Sequence, residues 1–188
     1  MTSAPATRTR LARLAILLWP ALALGNLAAQ PLRALRDLQD TDFVYAFMTA
    51  ARMLHQETGC FYCQATQRAV RAAFLSVVPT AMNDLYTNPP LAAWLIQPIA
   101  MLPPEAAVAL FLGLSIVAIV ASAVVMGVRL LPRTLPVRTR ALVVTTAVAT
   151  LPGAQALAVT NWNGLLLLFL TGAAWAALAR RPLLAGLL

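Results

Sequence analysis

The sequence predicts an all-α membrane protein, a polytopic bundle of helices with about four crossings. Three observations carry this. Of the 188 residues, 61% are hydrophobic and 11% charged; a soluble domain averages roughly 25% charged, so the bilayer must be the main solvent. All fourteen basic residues are arginine, and they gather at the ends of apolar runs. No segment shows strand-like alternation. The formal charge of +8 is that of a nucleic-acid binder, but the arginines form no patch interleaved with aromatics, and the positive-inside rule accounts for them. Nucleic acid is therefore excluded as a partner. Arginine without lysine, with abundant alanine, suggests a GC-rich bacterial gene.

The elements run in order along the chain. Residues 1–10 carry Arg8 and Arg10 and read as a cytoplasmic tail. Residues 11–29 are apolar and form the first crossing; at about 1.5 Å per residue they cover roughly 28 Å, close to the hydrocarbon thickness. Pro20 kinks this run. A cleaved signal peptide is the other reading, and in both cases the next segment lies outside. Residues 30–104 form a large outer loop. Within it, 42–56 places Phe43, Phe47, Ala50 and Leu54 at helical spacing, an amphipathic helix lying at the interface with Asp42 at its start as a cap. A second helix runs from about Gln64 to Val78 with Arg68 and Arg71 on its polar side. Asn88-Pro89-Pro90 and Pro103-Pro104 bracket an apolar stretch too short to cross.

Residues 105–128 give an uninterrupted crossing, and 129–140, with four arginines and no acid, a cytoplasmic loop. Residues 141–159 return outward, interrupted at Pro152-Gly153; 160–164 form the outer turn and 165–179 the fourth crossing. Residues 180–188 begin with Arg180-Arg181 and read as a cytoplasmic turn and the start of a fifth crossing. The chain therefore reads as the front part of a longer protein or a truncated relative of one. The expected setting is a multi-pass cell-membrane protein with its N-terminus in the cytoplasm and its first large loop outside, in contact with membrane lipids.

The chemistry is expected in that loop, because all six carboxylates lie between Asp37 and Glu105. Asp42 is the leading candidate, followed by Asp40 and Asp37. The outer arginines Arg33, Arg36, Arg52, Arg68 and Arg71 are placed to touch headgroups or loop acids. His55 reads as a snorkelling interface residue, and Trp94 and Trp162 as members of the aromatic belt. Cys60 and Cys63, with His55 the only histidine, do not make up a four-ligand zinc site without carboxylates. A local disulfide is the simpler reading. Thiol oxidoreduction would need a second cysteine pair to relay the oxidation.

Four segments together resemble a known family: Asp-Phe-Val-Tyr at 42–45, an aromatic stretch followed by Gln67-Arg68, Asn-Pro-Pro-Leu-Ala-Ala-Trp-Leu at 88–95 leading to Pro103, and Gly153-x-Gln155 with Asn161-x-Asn163 before a leucine run. In order and spacing, over most of residues 36–188, they resemble glycosyltransferase family 87, polyprenyl-phosphate-mannose-dependent mannosyltransferases of the GT-C class. The resemblance implies a GT-C helical bundle. It implies transfer of a hexose, mannose for choice, from a polyprenyl-phosphate donor to a lipid or glycan acceptor at the outer leaflet. No cofactor and no metal are expected, since arginine can stabilise the single phosphate at the leaving position of such a donor. By position Asp42 matches the family's catalytic base. Arg52, Tyr86, Asn88, Gln155 and Asn163 are the expected substrate-binding residues, the last two facing the bundle interior near the donor. Cys-Phe-Tyr-Cys at 60–63 departs from the family, where an acid is usual. A non-catalytic membrane subunit that keeps only the front of the fold is the alternative of a different class.

Overall fold

The computed structural model describes residues 4–37, 41–57, 59–75, 90–149, 151–181 and 186–187. All regular structure among them is helical: α1 (Ala4–Arg36), a π-helical turn π1 (Phe43–Met48), α2 (Thr49–His55), α3 (Gln64–Ala72), α4 (Pro90–Ala100), α5 (Pro104–Val125), a second π-turn π2 (Met126–Leu130), α6 (Val137–Ala149), α7 (Leu151–Ala158) and α8 (Asn163–Leu178). The chain divides into two compact units, one of Met1–Gln30, Ala118–Ala154 and Asn163–Leu188, the other of Pro31–Val117 and Gln155–Trp162.

One helix among the described residues, Pro104–Leu130, is long and apolar enough to cross a membrane. At about 1.5 Å per residue its 27 residues cover roughly 40 Å. Its buried positions, Ala107, Val108, Phe111, Leu112, Ser115, Ala118, Ile119 and Ser122, recur at helical spacing and form one stripe. Leu110, Leu114, Val117, Val120 and Val124 stand exposed on the other side. An apolar stripe of that extent left uncovered is what a lipid solvent requires. This matches the crossing expected over 105–128. The expected outward run over 141–159 is divided between α6 and α7. Pro152 supplies no N–H there, and a Cβ on Gly153 would collide with the carbonyl oxygen of Val148, so only glycine fits. The segment of the fourth expected crossing forms α8, an apolar helix of 16 residues that is shorter than a crossing needs.

The unit of Pro31–Val117 and Gln155–Trp162 is organised around π1 and α2, which pack on α3 and α4. Here the structure corrects the sequence reading. Residues 42–56 are not an amphipathic helix with a free polar face: Phe43, Val44, Tyr45, Phe47, Met48, Thr49, Ala50, Ala51 and Met53 are all buried. The i→i+5 winding of π1 turns neighbouring side chains to different sides than an α-helix would. Arg71, expected on a solvated face, is also buried, at 2% exposure. It donates from Nη2 to the Tyr45 carbonyl at 2.6 Å and from Nε to Thr49 Oγ1 at 3.5 Å, and its guanidinium lies 3.6 Å from the centre of the Tyr45 ring. It is the strut that joins α3 to π1. Arg68 on the same helix is exposed.

Candidate active site around Asp42 and the 159–162 turn

Thr41 and Asp42 open π1. The helix-capping role expected of Asp42 falls to Thr41, which is buried and whose Oγ1 accepts from the Val44 N–H at 3.4 Å. Asp42 makes no side-chain cap bond. Its backbone N–H instead donates to the Val159 carbonyl at 2.7 Å. That bond fastens the residue that opens π1 to the turn after α7, although the two lie far apart in sequence.

The turn is itself unusual. Asn161 N–H donates to the Ala156 carbonyl at 3.2 Å, and Thr160 between them has φ +53°. This is the Schellman closure of a helix, with a β-branched residue at the left-handed position that normally takes glycine. Strain of about 1–3 kcal/mol at such a position collects at functional sites. Thr160 is fully buried and its Oγ1 has no hydrogen-bond partner. The buried Nε1 of Trp162 also lacks one, as does the Oγ of the fully buried Ser115. A buried polar atom without a partner costs about 1–3 kcal/mol, so native folds seldom keep several in one unit without a use for them.

An aromatic cluster holds this region together. The Phe43 and Phe111 rings stack at 4.5 Å. The Trp162 ring meets Phe111 and Phe47 edge-on, 5.7 Å from each. Trp162 is thus part of a packed cluster and does not stand in an exposed belt, whereas Trp94 is exposed. The arrangement brings a carboxylate-bearing residue, aromatic rings and donors with unused capacity into one unit. Those are the groups that bind and deprotonate a polyol: rings for its C–H faces, donors for its hydroxyls, a carboxylate for the proton.

The family model of glycosyltransferase family 87 matches residues 86–188, more than half of the chain. The chain belongs to glycosyltransferase family 87. No curated protein matches the chain and no solved structure does. The match is narrower than the resemblance read over 36–188. It takes in Ser115, Gln155, Thr160, Trp162 and Asn163 but begins beyond Asp42, whose link to the family segment is the Val159 hydrogen bond.

The other expected site residues fall variously. Asp40, Tyr86 and Asn88 lie outside the described residues, as does the Gln155 side chain, though Gln155 itself is in α7. Asn163 is the first residue of α8 and belongs to the other unit. Asp37 is exposed just past α1. Arg52, expected to bind substrate, braces the fold. Its Nε donates to the Ala100 carbonyl and its Nη2 to the Leu102 carbonyl, both at 3.1 Å, closing the C-terminus of α4. Its guanidinium also lies 4.4 Å from the centre of the Phe74 ring. Partial burial there lowers its pKa below the ordinary arginine value. His55 is exposed at the end of α2. Cys60 and Cys63 are joined as a disulfide, Cα to Cα 5.3 Å, in an exposed connection just before α3.

Sequence reasoning missed Thr41, Ser115 and Thr160. Ser115 carries a signal, a lone hydroxyl inside an apolar run. Thr160 carries another, a β-branched residue where a helix must end without glycine.

Proposed function

We propose that the protein is a membrane glycosyltransferase that transfers a hexose, mannose for choice, from a polyprenyl-phosphate donor to a lipid or glycan acceptor on the outer side of the membrane, with Asp42 as the base. Family membership supplies glycosyl transfer. The observation that supports Asp42, ahead of Asp40 and Asp37, as the base is its backbone hydrogen bond to Val159, which joins it to the polar turn of the family segment. In this reading the Asp42 carboxylate takes the acceptor hydroxyl proton as the new C–O bond forms, and the bond from the anomeric carbon to the phosphate oxygen breaks. Thr160, Trp162 and Ser115 supply hydrogen bonds to sugar hydroxyls. The reading places the N-terminus in the cytoplasm and the first large loop outside, in a multi-pass chain.

The test is Asp42→Asn, assayed in membranes with radiolabelled polyprenyl-phosphate mannose. Transfer is expected to fall by about 10²–10⁴, the usual contribution of a general base, at unchanged expression. Undiminished transfer removes Asp42 from the mechanism.

A further inference from the structure

The unit formed by Met1–Gln30, Ala118–Ala154 and Asn163–Leu188 has a groove of about 530 Å³ between α1, α5 with π2, and α6. The indole N–H of Trp19 donates to Thr146 Oγ1 at 3.2 Å and holds α1 to α6 beside it. The walls are aliphatic, with Leu24 and Leu27 from α1, Val120 and Val124 from α5, and Val144 from α6. Its one charged lining residue is Arg140. Arg140 Nη1 donates to the Gly127 carbonyl at a long 3.4 Å, and its Nε is buried without a partner.

No carboxylate of this unit can answer that charge. Every Asp and Glu of the chain lies between residues 37 and 105, outside all three segments of the unit. The neighbouring Arg129, Arg133 and Arg138, all exposed, only add to the positive potential. A half-buried cation in an apolar setting is costly without a counter-ion, and an anionic ligand in the groove would supply one. A free phosphate would satisfy the guanidinium and leave the aliphatic walls wet. A zwitterionic lipid would fill the walls and bring its own cation. Basic pockets between helices at a membrane face are suited to anionic lipids.

We propose that this groove is a binding site for an anionic glycerophospholipid, with its acyl chains along the α1, α5 and α6 walls and its phosphate on Arg140. None of the residues involved belongs to the unit that contains Asp42, so the site stands or falls independently of the sugar-transfer reading.

The experiment is native mass spectrometry of the whole chain, purified in detergent and titrated with phosphatidylglycerol or phosphatidylcholine of the same acyl composition. Phosphatidylglycerol is expected to bind roughly tenfold more tightly, the effect of one charge-assisted pair. Arg140→Gln abolishes the preference, Arg140→Lys keeps part of it, and Arg138→Gln leaves it intact. Ala141→Phe, which places a ring in the groove, weakens both lipids. Equal binding of the two lipids by the unaltered chain overturns the proposal. So does an equal loss in Arg138→Gln and Arg140→Gln, which would mean a diffuse basic surface. Tighter Arg140-dependent binding of a polyprenyl phosphate than of phosphatidylglycerol also overturns it, and would assign the groove to a sugar carrier.

Discussion

Arg71→Lys separates a buried strut from a charge that merely faces lipid headgroups. Lysine would serve a headgroup as well as arginine does. It cannot replace what Arg71 does here, because one ammonium cannot reach both the Tyr45 carbonyl and Thr49 Oγ1 while a planar cation lies on the Tyr45 ring. A hydrogen bond from a charged group contributes about 1.5–3 kcal/mol, and a desolvated cation–π contact about 2 kcal/mol. Lysine keeps the charge and one bond, so the expected net loss is about 2–3 kcal/mol. In a chain of this length each kcal/mol moves the midpoint by about 2–4 °C, which gives a fall of about 4–12 °C. The assay is thermal unfolding in detergent followed by tryptophan fluorescence, with the exposed Arg68→Lys on the same helix as control. The control should stay within about 0.5 kcal/mol of the unaltered chain. If Arg71→Lys unfolds at the same temperature as Arg68→Lys, the buried-strut account is wrong.

Trp162→Phe keeps an aromatic ring against Phe47 and Phe111 and deletes the unpaired indole donor. Stability should hold or rise by about 1 kcal/mol while KM for the donor rises about tenfold; an unchanged KM takes the indole N–H out of the site. Thr160→Gly relieves the left-handed backbone and should raise the unfolding midpoint, by about 1 kcal/mol in free energy, so a lowered midpoint contradicts the strain account. Cys60→Ser combined with Cys63→Ser should cost about 2 kcal/mol for so short a loop and leave sugar transfer unchanged, whereas abolished transfer in a folded variant would bring thiol chemistry back.

Much of the scaffold was legible because it depends on local rules. Proline pairs bracket α4, an unbroken apolar run makes α5, and Pro152 with Gly153 breaks the 141–159 segment where expected. The interior of the unit around π1 and α2 was not legible, for two physical reasons. Phe43, Phe47 and Ala50 are buried as a 3.6-residue period expects, but packing on α3 and α4 also buries Val44, Tyr45, Met48, Thr49, Ala51 and Met53, which no periodicity within 42–56 announces. Arginine also looks the same in sequence whether it meets water, lipid or a carbonyl, so Arg71 and Arg52 gave no sign of the backbone oxygens they hold. Asp42 is singled out by charge distribution and resemblance. Its connection to Val159 depends on long-range pairing that no local pattern encodes.

The bond from Asp42 to Val159 also fixes an order of events during biosynthesis. Phe43, Val44, Phe47 and Met48 leave the ribosome well before the segment that carries Trp162. At about 5–20 residues per second the wait is on the order of ten seconds. Over that interval α3 and α4 are already available to cover the apolar residues of π1 and α2, whereas a chain stalled upstream of Val159 lacks the acceptor that closes the contact.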